Sequence, residues 1–557
     1  MTKNINNKKA RLPHRRWCEG AIVYQVYPRS FYDSNDDGVG DIAGVTKKLN
    51  YLKDLGVNAI WLSPFYTSPM ADFGYDVADY CDVDPIFGKL RDMEDLIHEA
   101  HLKDIRIMID LVPNHTSDEH PWFRQSRASR EGPYSDWYIW KDPKGHDKNG
   151  HPIVPNNWLD VLSGKPAWEW DASRQQFYLH SFHIKQPDLN WANPKVRQAI
   201  KAAMRFWLDK EVDGFRVDAV HFIGKDPLFK DEPANPAYNP QTDTAYTALR
   251  HINNHGWPQM YAYLNEMASV LKEAKYSHTP RFMVTEAYPD THEPIEEYLS
   301  YYEGMDAEVA APFNFEGLGL PWQAEAWGRF LTRFHTALNG FSPLCVASYA
   351  FGNHDQYRIA TRLGDEAARS AAVLLLTLPG MSFIYNGDEI GMVNGDIPVD
   401  MIQDPGSNGG IGRDPERTPM QWSEDLNAGF TRARQPWLPV NPDYITKNVT
   451  TELSEPTSFL NLYRRLGKLR NESISLRYGG IKVLNSGDRE VLCFLREDDL
   501  GLEKHIVVVN FTDKSKEFTF KLPIKQLLVT SHRQSRLETK PTGVLQMQPN
   551  EAAIFEA

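Results

Sequence analysis

Short runs of consecutive apolar residues alternate along this chain with stretches whose apolar positions recur every three or four residues. AIVYQVYP (21–28), VNAIWLSP (57–64) and IRIMIDLV (105–112) are such runs, as expected of parallel strands buried on both faces. Between them, Val45, Leu49, Leu52 and Leu55 share one helical face, and residues 91–103 repeat that period. From about 113 to 190 the alternation stops. This stretch is rich in Trp, Pro, Gly, Asn and Asp, too long for an ordinary strand-to-helix connection, and predicts a small inserted domain. The alternation then resumes with a helix at 194–209, strand DGFRVDA (213–219), a long helical stretch around 242–275 and strand RFMVTEA (281–287). EVAAPFNF (308–315), a helix at 322–338, LCVASYAFGN (344–353), a helix at 365–377 and MSFIYNG (381–387) follow.

Eight strands, each followed by helical sequence, predict an α/β fold of the (β/α)8 TIM-barrel type. A doubly wound sheet would place a Gly-rich phosphate turn after the first strand, where this chain has the acidic DSNDDGVGD. Beyond about 480, VLCFLRE, HIVVVNF, EFTFKL and QLLVTS are short β-rich runs between charged turns, an all-β C-terminal domain. The expected division is a barrel of residues 1–112 and 191–480, an insertion of 113–190 and a C-terminal domain of 481–557.

Composition narrows the function. The chain has 557 residues with 61 basic and 74 acidic side chains, a net charge of −13, which disfavours a nucleic-acid binder. Nothing reaches the roughly 18 apolar residues of a membrane span, and MTKNINNKKARLPHRRW lacks the apolar core of a secretory signal. Four scattered cysteines, Cys18, Cys81, Cys345 and Cys493, read as reduced thiols. A cytoplasmic protein, monomer or homodimer, is expected.

In a barrel of this type the chemistry lies at the C-terminal ends of the strands. Asp110, Asp218, Glu286 and Asp355 each close an apolar strand. Arg216 points to the same side as Asp218, two residues on. Converging carboxylates without Cys/His metal spacing suit retaining glycoside chemistry, which needs a nucleophile and a proton donor about 5–5.5 Å apart. Arg216 is expected to keep Asp218 ionised, and Glu286, with no cation beside it in sequence, to be protonated through desolvation.

These segments resemble those of the α-amylase family of glycoside hydrolases, on its oligosaccharide α-glucosidase branch. DLVPNH (110–115), GFRVDAV (214–220), VTEAY (284–288) and FGNHDQ (351–356) are similar to its four ordered signatures; QPDLN (186–190) and GRDPERTPMQW (412–422) are similar to two more. The resemblance implies that Asp218 is the nucleophile, Glu286 the acid and then the base, and Asp355 the stabiliser of the sugar in the transition state. It implies that Asp76, His115, Arg216, His354 and Arg413 grip the glucose and that Tyr75, Phe182 and Gln186 line its pocket. The expected enzyme is an exo-acting α-glucosidase of short oligosaccharides with no organic cofactor. A glucosyl transferase or a sucrose or trehalose isomerase is the alternative, and a non-catalytic scaffold the remote one. Thr285 and Tyr357 depart from the family pattern, in which Gly and Pro are common there. Ala219, after the nucleophile, is smaller than the Val of α-1,6 relatives and favours α-1,4 bonds.

DSNDDGVGD sets Asp33, Asn35, Asp37 and Asp41 at alternate positions, with the Val39 carbonyl free to serve between them, in the manner of a calcium loop. A structural Ca²⁺ or Mg²⁺ is expected there.

Overall fold

The computed structural model describes residues 15–288, 294–404, 412–533 and 543–557. Eight parallel strands form its central sheet: β1 (Ile22–Val26), β2 (Ala59–Leu62), β3 (Arg106–Leu111), β4 (Gly214–Val217), β5 (Phe282–Thr285), β6 (Ala310–Pro312), β7 (Ser348–Ala350) and β8 (Met381–Tyr385). Their order is β6-β5-β4-β3-β2-β1-β8-β7, that of a barrel opened at one seam. A side chain bridges the seam. Ser348 Oγ on β7 donates to the carbonyl of Pro312 on β6 at 2.7 Å and accepts from Asn314 N at 3.3 Å. Nearly every strand residue is buried, because helices cover the outer face and side chains fill the interior.

The helices show why the apolar period was readable. Pro194–Asp209 starts at Asn193, whose side chain accepts from Lys195 N, with Pro194 in the first turn, where its missing N–H costs nothing. Val196, Ile200, Ala203, Met204, Trp207 and Leu208 form its buried stripe. Asp365–Thr377 lies where the pattern predicts it. The long helix expected over 242–275 is corrected: only Gln259–Leu271 is α-helical. Within the stretch before it, Gly256 takes a left-handed φ of +65° and Pro258 lacks an amide donor. Glu232 instead pins the loop by accepting from the amides of Ile252, Asn253 and Asn254 at 3.0, 2.8 and 2.7 Å.

Between β3 and β4 the chain forms a three-stranded sheet of Trp140–Lys141, Gln176–Leu179 and Trp168–Asp171. It has its own core of Ile139, Trp158, Ala167, Trp168, Phe177 and Leu179. The C-terminal region is a five-stranded antiparallel sheet beginning at Gly480. It packs on the barrel through Asp365–Thr377, where Arg369 Nε donates to the Ser531 carbonyl at 2.7 Å.

Candidate active site

Strand register assembles the charged centre. Arg216 on β4 lies opposite Asp110 on β3, and the ladder continues past both strand ends: Asp218 N donates to Leu111 O and Glu286 N to Val217 O, each at 2.8 Å. Arg216 Nη1 therefore reaches Asp110 Oδ1 at 2.7 Å and Asp218 Oδ1 at 2.6 Å, while Nη2 pairs with Glu286 Oε1. Trp61 Nε1 donates to the other oxygen of Asp110 at 2.9 Å. The expectation that Glu286 has no cation beside it is corrected. Its cation comes from the neighbouring strand, which reading along β5 alone does not reveal.

One guanidinium thus faces three buried carboxylates. Burial pushes Asp110 up to about 6, with Arg216 opposing. Burial also holds Asp218 well above the usual carboxylate range; Arg216 pulls it down, and Glu286 and Asp110 push it up. The expectation that Arg216 keeps Asp218 ionised meets a divided charge, because the same guanidinium also serves Asp110 and Glu286. Ala219, with φ +45° in the left-handed region, turns its N–H onto Glu286 Oε2 at 2.9 Å. That strained turn joins the two carboxylates.

Asp355 has the opposite environment. Its Oδ1 accepts from Arg417 Nη2 at 2.7 Å and Arg413 Nη1 at 3.2 Å, and Oδ2 lies 3.2 Å from His354 Nε2. Burial would raise it, but His354, Arg417 and Arg413 hold it well below the usual carboxylate range. Burial lowers His354 itself to about 3, so near neutral pH the arginines supply the charge. His354 is clamped by Gln25 Nε2 at 2.8 Å from Nδ1 and the Tyr75 hydroxyl at 2.8 Å from Nε2.

Asp218, Glu286, Asp355, Tyr75, His115, Phe182, Ala219 and Arg413 line one cavity of about 400 Å³, within the range of small-molecule sites. Three of the expected contact residues lie beneath its surface. Arg216 and Gln186 are 1% exposed and His354 is fully buried, so they hold the lining groups and do not form the wall. Gln186 Nε2 donates to Asp72 Oδ2 at 3.0 Å and sits 3.1 Å from His115 Nε2. Asp76 is corrected outright. It is fully buried, and its carboxylate accepts the amides of Ala71 and Asp72, both at 2.8 Å. That turn lifts Asp72 into the cavity wall, where Arg413 Nη2 binds it at 2.7 Å.

Sequence reasoning missed Asp72, Arg417 and Asp404, whose carboxylate receives Arg413 Nε at 2.9 Å and Nη2 at 2.8 Å. The only signals were proximity to recognised motifs: Asp72 stands four residues before Asp76, and Arg417 four after Arg413. His221, Phe222 and Tyr288, on the turns that follow Asp218 and Glu286, also line the cavity. The sequence GMVNGDIPVDMIQDPGSNGGIGRD after β8 is expected to shape the acceptor side of the pocket, and its residues 405–411 lie outside the described residues.

The acidic loop stands apart. Asp33 accepts from the amides of Asn35, Asp36 and Gly38 and from Thr431 Oγ1 at 2.5 Å. Asn35 accepts from Asp37 N and Asp37 from Val39 N, at 3.0 and 2.9 Å. Asp41 caps the next helix through Gly44 N at 2.6 Å. These turns leave Asp37 Oδ2, on an exposed residue, without a hydrogen bond from the loop. Among the described residues no group of three or more His, Cys, Asp or Glu side chains is disposed to hold a metal ion.

Residues 25–479 match the family model described as alpha amylase, catalytic domain. An oligo-1,6-glucosidase of Parageobacillus thermoglucosidasius is 38% identical, the alignment covering 97% of this chain and 99% of that protein. Maltase 1 of Drosophila virilis is also 38% identical, over 97% of this chain and 87% of that one. Among solved structures, an α-glucosyl transfer enzyme aligns with a TM-score of 0.87 at 34% identity, over 98% of this chain and 100% of that one.

Proposed function

The chain belongs to the α-amylase family, and from that premise we propose that it is a retaining, exo-acting α-glucosidase of short oligosaccharides. Hydrolysis of α-glucosidic bonds is what its glucosidase and maltase relatives are named for. The observation that carries the finer reading is the junction of Asp218 and Glu286 on the one guanidinium of Arg216, facing a cavity that Asp355 also lines. Asp218 attacks the anomeric carbon, and Glu286 protonates the departing oxygen and later takes a proton from water. Both carboxylates rest on Arg216. A sugar entering the cavity breaks the Glu286–Arg216 contact, which concentrates the cation on Asp218. Asp355, kept anionic by two arginines, binds ring hydroxyls and faces the positive charge that develops on the ring.

Asp72 and Arg413 bind the terminal glucose from the far side, which supports action from the chain end. Ala219 supports a preference for α-1,4 bonds, because its methyl leaves room beside Glu286; a methylene here discriminates by about 1–3 kcal/mol. The likeness to a glucosyl transfer enzyme supports a second reading, in which a sugar in place of water accepts the glucosyl group. No described helix is long and apolar enough to cross a membrane. We also assign a structural Ca²⁺ or Mg²⁺ to the loop of Asp33, Asn35, Asp37 and Asp41, with the Val39 carbonyl.

The test is a panel of maltose, isomaltose, sucrose, trehalose and maltotriose followed by proton NMR. Release of glucose, fastest from maltose, is expected, and the glucose first freed from an aryl α-glucoside, which has no reducing-end sugar, should be the α-anomer. Initial β-glucose from the aryl glucoside would remove the retaining mechanism, and oligosaccharides or a disaccharide isomer as main products would favour transfer.

A further inference from the structure

A second concavity, of about 510 Å³, lies between the inserted segment and the loop after β4. Its charge is unlike that of the molecule: Arg130, Lys141, Arg174 and Lys225 line it against one carboxylate, Asp136, in a chain of net charge −13. Three of these cations are committed elsewhere. Arg130 binds Asp142 at 3.0 Å, Arg174 binds Gln176 Oε1 and the Ser135 carbonyl at 2.8 Å each, and Lys225 binds Asp188 at 2.8 Å. Lys141 is not. Its ammonium rests 3.8 Å from the Phe229 ring centroid, and it makes no ion pair or hydrogen bond among the described residues. Partial burial alone lowers its pKa.

The support beneath Lys141 is rigid. Phe229 holds a left-handed φ of +50°, a conformation that a residue with a Cβ keeps only when its surroundings impose it, and one that clusters at ligand clamps. Its ring stacks on Trp158 at 5.4 Å, inside the aromatic core of the insertion. Across the groove, half-buried Trp257 has no stacking ring or cation on its face among the described residues. An uncommitted cation and a bare indole lining one groove suit a ligand with a compact anionic head and a ring, since sugar faces pack on aromatic surfaces and phosphate oxygens take charge-assisted hydrogen bonds.

We propose that this groove binds a phosphorylated sugar, its phosphate on Lys141 and its ring on Trp257. The site is separate from the catalytic cavity and does not depend on the glucosidase reading. Calorimetric titration of the full chain with glucose 6-phosphate tests it, with glucose and inorganic phosphate as comparison ligands. One saturable, salt-sensitive site is expected. Lys141→Gln and Trp257→Ala should weaken it about tenfold or more, Lys141→Arg should retain it, and all three variants should keep the wild-type rate on an aryl α-glucoside. Absent binding, binding indifferent to Lys141→Gln, or equal affinity for glucose or inorganic phosphate would overturn the proposal.

Discussion

Asp72 and Asp76 are four residues apart on one turn, yet one faces the cavity and the other faces the backbone. Asp72→Asn keeps a hydrogen-bonding side chain but removes the charge that meets Arg413 at 2.7 Å. A charged contact of about 1.5–3 kcal/mol predicts a fall in kcat/KM of roughly 10–100-fold with little change in Tm. Asp76→Ala orphans the buried amide of Asp72 and the partly buried amide of Ala71, the buried one at about 1–3 kcal/mol, so its main effect should be a lower Tm. Equal activity loss in both variants, with unchanged Tm, would contradict this division. Ala219→Val adds a β-branched group at φ +45°, where such residues are strained. It should lower Tm and raise the isomaltose-to-maltose ratio of kcat/KM; a ratio that stays constant would remove position 219 from linkage choice. Asp218, Glu286 and Asp355 were legible because each ends an apolar run, a local signal. The cation on Glu286 was not, because it depends on which strand lies alongside. Asp72 was hidden because two carboxylates in one turn cannot be told apart without the turn's hydrogen bonds.

At the scale of elements, the eight strands and the helices with clean apolar stripes were readable, since burial on both faces or on one stripe writes itself into the period. The stretch before Gln259 was misread as helix. Its apolar residues have helical spacing, but Gly256 takes φ +65°, Pro258 lacks a donor, and Glu232 holds the amides of Ile252, Asn253 and Asn254 in a loop. The alternating oxygens of the acidic loop carry the proposal of a cation there, and stability is where it is tested. A cation bound at about 100 times its Kd adds about 2.7 kcal/mol, so chelation should lower Tm by several degrees. Activity of the still-folded enzyme should be unchanged, the loop being outside the catalytic cavity. A Tm indifferent to both chelator and added Ca²⁺ or Mg²⁺ would argue that the backbone amides suffice.

Across the whole molecule, two sets of buried groups pull stability in opposite directions with pH. Burial lowers His115 to about 4 and His120, His335 and His354 to about 3. Their ordinary value is 6.5, so below it the unfolded chain binds more protons and stability falls as pH falls. Burial raises Asp76 and Asp110 to about 6, and Asp388, Glu416 and Glu452 to about 7. Their stabilisation is full below the ordinary carboxylate range and lost as pH rises through those values. Between about pH 4.5 and 6.5 the two sets oppose each other. Below about pH 4 the raised carboxylates are protonated in both states, and the histidines are joined by Asp355 and by Asp404, which Arg413 holds at about 2. Tm measured against pH should therefore be nearly flat over the first interval and drop steeply below it; a steady decline from pH 7 would show that the histidines dominate throughout.

The account stands on Asp218 forming a covalent bond to glucose. A ring-fluorinated α-glucosyl fluoride, which slows release of the intermediate, should lose its anomeric fluoride and add one fluoroglucosyl mass to the intact chain, and peptide sequencing should place it on Asp218. Labelling at another carboxylate, or full turnover of maltose by Asp218→Asn, would contradict it.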